Sequence, residues 1–165
     1  TQYFFDKIVC GIAFGNSIFY HFMDFDGTCS PLETITMLEK LNSTSADIIM
    51  GVRLHDKSKM PKTRRLGNRL YKILLRSLYP TSSTLPKDVC TGFRLLKKSV
   101  AEDLFQNLPD DLSFSPALTA KALNKKYKIV DHQITYRERF GHSKISLLKD
   151  GFKFGQALIT QRFSR

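Results

Sequence analysis

A chain of 165 residues, 42% hydrophobic and 25% charged, is long enough for one domain with a real core and is ordinary in composition for a globular protein. Its formal charge of +11 suits either an anionic partner or a solvated cationic face. Its three cysteines, Cys10, Cys29 and Cys90, are odd in number, far apart and without ligand spacing, which argues against a disulfide framework or zinc site and for a reducing compartment. The longest apolar run, "IVCGIAFGNSIFYHFM", is interrupted by Asn16, Ser17 and His21, and no charged n-region precedes it, so neither a membrane span nor a signal peptide is expected.

In chain order the pattern predicts a helix over about residues 2 to 14, then a strand built on Ile18, Phe19, Phe22 and Met23. That strand runs into "DFDGT". Asp24 and Asp26 fall where it stops, and alternate positions of an extended segment point the same way, so both carboxylates can converge on one object. Three readings stand for this pair: a solvated turn, a divalent-metal site, or an aspartyl nucleophile with its acid/base partner.

A helix over about 31 to 42 follows, with Ser30 as N-cap, Pro31 at the first helical position and Glu33 completing a capping box. "ADIIMGV" reads as a strand ending near Arg53. Between Arg53 and Arg76 stand nine Lys or Arg against the single Asp56, and no acid occurs from Lys57 to Thr84. In the helix predicted there, Leu66, Leu70, Ile73, Leu74 and Leu78 recur at helical spacing and are expected to be buried. Lys62, Arg65, Arg69, Lys72 and Arg76 form a separate stripe suited to anions.

After the loop "YPTSSTLPKD" come a strand near "TGFRLLK", a helix opened by the capping box Ser99 to Glu102, a helix over about 114 to 126 and the strand "KIVDHQITY". An amphipathic helix over about 146 to 162, carrying Phe152, Leu158 and Ile159 and leading to Phe163, completes the list. The alternation favours α/β.

Four stretches in order, "MDFDGTCSPLE", "DIIMGVR", "DVCTGFRLLKKS" and "ITYRERFGHSKIS", resemble the second half of a glycosyltransferase family 2 domain of the dolichyl- and polyprenyl-phosphate sugar transferase group, from about Gly15 to Phe163. The resemblance implies the C-terminal part of a GT-A-type, Rossmann-like domain: a mixed sheet flanked by helices. It also implies an inverting transfer of a hexose from a nucleotide sugar, GDP- or UDP-linked, to polyprenyl or dolichyl phosphate.

By that resemblance Asp24 and Asp26 form the D-x-D motif that holds Mg²⁺ or Mn²⁺ against the diphosphate. Asp88 is the acid beside the acceptor, where it orients rather than deprotonates, because a phosphate acceptor is already ionised at neutral pH. Arg53, Arg64, Arg65, Arg139, Ser143 and Lys144 would bind the acceptor phosphate, for which guanidinium forks are suited. The implied setting is cytoplasmic and peripheral on an anionic membrane surface, with no nucleic acid expected. Relatives carry a further N-terminal nucleotide-binding half before the D-x-D strand, roughly 60 residues at about 30 per βαβ unit. The chain is therefore expected to be a single catalytic domain, N-terminally truncated.

Two alternatives belong to other classes. "DFDGT" also resembles the first motif of haloacid dehalogenase-type phosphatases, with Asp24 as nucleophile and Lys97, Asp110 and Asp111 as forced later partners; no glycine-flanked acid motif supports it. The basic window could instead be a non-catalytic module for anionic membrane or nucleic acid, although interleaved stacking aromatics are not evident there.

Overall fold

The computed structural model describes residues 18–24, 26–55, 58–82, 85–138 and 149–164. The helix expected over residues 2 to 14 lies outside them. The described elements are β1 (Phe19–Phe22), α1 (Glu33–Thr44), β2 (Ile48–Val52), α2 (Lys62–Leu78), β3 (Arg94–Lys97), α3 (Lys98–Leu104), α4 (Phe114–Asn124), β4 (Ile129–Gln133) and α5 (Lys149–Phe163). They make an α/β fold with a four-stranded mixed sheet in the order β1-β3-β2-β4.

Every residue of β2 is buried, as expected of an inner strand covered on both faces. Alternate side chains feed two cores. Ile48 and Met50 of β2, with Leu96 and Ile129, meet Leu75, Val100, Ala101, Leu118 and Leu158 from the helices of one face. Ile49 and Leu95, with Phe93 and Ile134, meet Met37 and Leu41 of α1 on the other. Between β2 and β3, Gly51 is packed so closely that a Cβ would lie 2.8 Å from Ile134 Cδ1 and 3.0 Å from the Phe93 carbonyl oxygen.

Three local expectations are corrected. No side chain caps α1: the carbonyls of Ser30, Pro31 and Leu32 accept the N–H groups of Glu33, Thr34 and Ile35 in a tight first turn, and the Glu33 carboxylate instead accepts the Thr135 N–H at 2.8 Å. The Ser99 capping box is also absent. β3 passes into α3 with no intervening loop, Ser99 lies inside the helix, and the Lys98 N–H is satisfied by the Ile18 carbonyl at 2.9 Å.

The third correction concerns α2. Asn68 and Leu75 are its buried residues and Leu74 and Leu78 are half-buried, whereas Leu66, Leu70 and Ile73 stand 58%, 57% and 58% exposed. Leu75 and Leu78 turn to the core, Leu66, Leu70 and Ile73 turn outward, and Leu74 lies at the margin between them, packed against the core.

His21, on the α1 side of β1, is 5% exposed; its ring lies edge-on to Phe93 and its Nδ1 pairs with the Thr34 hydroxyl at 3.2 Å. Among the described residues its buried Nε2 has no hydrogen-bond partner, and burial lowers the pKa to about 4. The native state thus favours the neutral ring, while the unfolded chain takes up a proton near the ordinary value of 6.5. Stability should therefore be unaffected by this group above pH 6.5 and fall as pH drops from there to about 4, by on the order of 3 kcal/mol. Urea unfolding across that window checks it: His21→Leu should lose less stability on acidification than the unsubstituted chain, and equal losses would contradict it.

Candidate active site at the strand ends

β3 runs antiparallel to both β1 and β2, and β2 runs parallel to β4. The exits of β1, β2 and β4 and the entry to β3 therefore share one edge of the sheet. That edge receives Asp24 and Asp26 after β1, Arg53 after β2, Asp88 ahead of β3 and residues 134–137 after β4. α2 starts from the same side, with Arg64 and Arg65 in its first turn.

The acid pair sits on a turn closed by its own side chains. Gly27 adopts φ 73°, a left-handed conformation in which a side chain would be strained. Asp26 Oδ1 accepts the Thr28 N–H at 3.1 Å and the Thr28 hydroxyl at 2.6 Å. Thr28 is itself buried, and its carbonyl accepts the Arg137 N–H at 2.8 Å, joining the turn to the segment after β4. Asp24 lies against Gly92, where an added Cβ would stand 2.9 Å from Oδ2 and 3.1 Å from Oδ1.

Among the described residues, no three acid, histidine or cysteine side chains come together as a metal cluster. Two hard carboxylates with little other support suit an ion that completes its shell with water and substrate phosphate, as Mg²⁺ commonly does. Neighbouring Cys29 is no rival nucleophile at neutral pH: burial pushes its thiol up to about 11.

Beside the acids is a buried ion pair. Arg53 donates from Nε to Asp88 Oδ2 at 2.7 Å and from Nη2 to Oδ1 at 2.9 Å, and its backbone N–H reaches Oδ2 at 3.2 Å. Asn68 of α2 adds a bond to Asp88 Oδ1, while its own Oδ1 accepts the Val89 N–H at 2.9 Å. Burial would push the fully buried Asp88 carboxyl up, but Arg53 and these hydrogen bonds outweigh it and hold the group below the usual carboxylate range. Burial would likewise lower the Arg53 pKa, and Asp88 raises it instead. With four donors upon it and its charged form favoured, Asp88 is suited to fixing Arg53 and poorly suited to taking a proton. The guanidinium also lies 5.6 Å from the centre of the Tyr136 ring.

The remaining expected residues divide. Arg64 Nη1 reaches the Tyr136 hydroxyl at 3.5 Å. Arg65 gives Nε to the Met60 carbonyl at 3.2 Å and Nη2 to the carbonyls of His55 and Ser58 at 3.1 and 2.8 Å, so it braces the loop between β2 and α2. Arg139, Ser143 and Lys144 lie outside the described residues. Lys97 pairs with Phe19 in register at the far end of β1 and is bridged to Asp47 at 2.9 Å, so it does not accompany Asp24. Asp111 is likewise engaged elsewhere, with Lys153 at 3.0 Å.

Sequence reasoning passed over Asn68 and Arg94, and read Glu33 only as a helix cap and Tyr136 only as the end of a strand. Arg94, 2% exposed, ties the carbonyls of Val89, Thr91 and Ser115 together and shapes the loop that sets Gly92 against Asp24; burial lowers its pKa to about 10. A charged residue between Phe93 and Leu95 in a strand, and an asparagine inside a leucine-rich helix, were the available signals.

No model of a known protein family matches the chain. A curated dolichyl-phosphate hexose transferase of Haloferax volcanii is 24% identical over 130 residues, covering 78% of this chain and 55% of that protein. The chain thus spans about half the length of the curated relative it matches, and the likeness is to a glycosyltransferase.

The ion pair makes a stability prediction. Asp88→Ala leaves Arg53 buried without its counter-charge and should cost about 3–5 kcal/mol, whereas the double variant Arg53→Met with Asp88→Leu should recover most of that loss. A double-mutant cycle by urea denaturation checks this; additive losses would contradict it.

Proposed function

We propose that this chain is the acceptor-side portion of a glycosyltransferase that moves a hexose from a GDP- or UDP-linked sugar to a polyprenyl or dolichyl phosphate, with inversion at the anomeric carbon. The observation that carries this reading is the meeting, at one edge of the sheet, of an acid pair and a guanidinium fixed by a buried carboxylate. The likeness to a dolichyl-phosphate hexose transferase supports it and suggests the class of acceptor.

In this reading a phosphate oxygen of the acceptor forms the new bond to the anomeric carbon while the bond from that carbon to the nucleoside diphosphate breaks. The acceptor is ionised before it binds, so no side chain needs to remove its proton. Asp24 and Asp26 would hold Mg²⁺ or Mn²⁺, which supplies positive charge against that building on the leaving diphosphate. Asp88 orients Arg53, with Asn68 and Tyr136 fixing the pair from two sides. Arg53 and Arg64, together with Arg139, Ser143 and Lys144, are assigned to the acceptor phosphate, and Arg65 to the loop that presents them. A lipid acceptor brings the reaction to a membrane surface. Among the described residues no helix is long and apolar enough to cross one. The lipid acceptor and the net charge of +11 are the grounds on which peripheral attachment at the cytoplasmic face is proposed.

The phosphatase alternative has less support, since Lys97 and Asp111 are engaged away from Asp24.

Asp24→Asn and Asp26→Asn should each weaken Mn²⁺-dependent binding of the nucleotide sugar about tenfold or more, because each removes one hard anionic ligand. Calorimetry on this chain joined to an N-terminal nucleotide-binding half would measure it. Unchanged metal-dependent affinity in both variants would overturn the assignment of the acid pair.

A further inference from the structure

α2 and α5 lie side by side. The Tyr71 hydroxyl donates to the Gly151 carbonyl at 2.9 Å, the Tyr71 and Phe154 rings are 6.1 Å apart, and Arg162 Nε donates to the Leu78 carbonyl at 2.9 Å. The middle of α2 therefore meets the start of α5, and the end of α2 meets the end of α5, so the two run in the same direction. Both leave an apolar stripe outside. On α2 it is Leu66, Leu70 and Ile73, spaced four and three apart and directed away from buried Asn68 and Leu75. On α5 it is Phe152, Ile159 and Phe163, at 76%, 44% and 75% exposure, while Leu158 is fully buried. Gly151 and Arg162, which touch α2, and buried Leu158 lie on one side of α5, and Phe152, Ile159 and Phe163 each stand about 100° round the helix from one of them, outside that contact.

Six large apolar side chains on two adjacent helices are more than the scattered exposure normal for a surface. Their surroundings are cationic. Lys62, Arg69, Lys72 and Arg76 are exposed along one flank of the leucine stripe, within a segment that has no acid from Lys57 to Thr84. A second copy of the chain would set this charge against itself. A nucleic acid would use the cations and leave the leucines and phenylalanines in water.

We propose that the paired α2–α5 face inserts into the interfacial layer of an anionic lipid bilayer, with Leu66, Leu70, Ile73, Phe152, Ile159 and Phe163 entering the acyl boundary and the flanking cations meeting the headgroups. This deepens the transferase reading by naming the surface that meets the lipid. α2 begins at the edge where Arg53 and Arg64 stand, so a helix lying flat on the bilayer keeps that edge near headgroup phosphates.

The chain contains no tryptophan, so Leu70→Trp introduces a single indole as a depth reporter. With vesicles of equimolar phosphatidylglycerol and phosphatidylcholine, lacking any polyprenyl phosphate, its emission should shift to the blue and be quenched by acyl-chain-brominated lipid. Flotation should show the triple variant Leu66→Ser, Leu70→Ser, Ile73→Ser binding about tenfold or more weakly than the unsubstituted chain, at unchanged melting temperature because these positions are already exposed. Binding should fall with salt and keep a residue that only the serine variant loses. An unshifted indole, or a serine variant that floats like the unsubstituted chain, would overturn the proposal, as would association of the chain through this face in sedimentation without lipid binding. Because the vesicles hold no acceptor, binding is read independently of transfer, which is measured separately on short-chain polyprenyl phosphate: a failed transferase reading leaves vesicle insertion without transfer in that second assay, and a failed docking face leaves transfer there without vesicle insertion.

Discussion

The organisation of the candidate site depends on one buried charge pair. Asp88 has no exposure to solvent, and a carboxylate so placed is tolerable only if it is matched by a cation and by hydrogen bonds. Arg53 supplies three of the bonds and Asn68 a fourth. Meeting that requirement fixes the end of β2, the loop before β3 and the first half of α2 relative to one another. The same loop is held from beneath by Arg94 and carries Gly92, whose missing side chain makes room for Asp24. One electrostatic constraint thus reaches from the basic helix to the acid turn. It stiffens a guanidinium that, in the proposed reading, would otherwise lose rotamer freedom on meeting the acceptor phosphate, which is a form of preorganisation.

The segment just after β4 closes the arrangement on its other side. Glu33 holds the Thr135 N–H, Thr28 holds the Arg137 N–H, and between them Tyr136 takes Arg53 on its ring and Arg64 on its hydroxyl. Contacts from Thr28, Glu33, Arg53 and Arg64 thus meet on the three residues Thr135, Tyr136 and Arg137. None of these contacts has a signature in linear sequence, since the partners are far apart along the chain and include backbone groups.

The legible features were those set by periodicity. The alternation of strands and helices, the apolar run of β2 and the end of β1 at an acid pair follow from side-chain period and turn chemistry, and the α/β fold with a mixed, helix-flanked sheet agrees with them. The sidedness of α2 was not legible, because it carries apolar residues on two faces and sequence alone does not say which one meets the protein. Asn68 held the answer: a polar residue buried for its bond to Asp88 marks the inner face, and Leu66 and Leu70 then point outward. The caps were misread for a related reason. Ser99 and Glu102 have the spacing of a capping box, but β3 passes straight into α3, so Ser99 lies past the cap position. Of the candidate site, the acids and Arg53 stood out as types at strand ends, whereas the commitment of Asp88 to Arg53, 35 residues away, emerged only with the fold.

Transfer of labelled hexose from a GDP- or UDP-sugar to a short-chain polyprenyl phosphate tests the central claim most directly. It would be run on this chain joined to a nucleotide-binding half, with Arg53→Lys as the comparison. Lysine keeps the charge but cannot make the two-pronged bond to Asp88, so the account predicts metal-dependent formation of the hexosyl phosphate lipid and about a tenfold or greater loss in Arg53→Lys. Release of phosphate from a generic ester in an Asp24-dependent way, with no labelled lipid formed and no effect of Arg53→Lys, would contradict it.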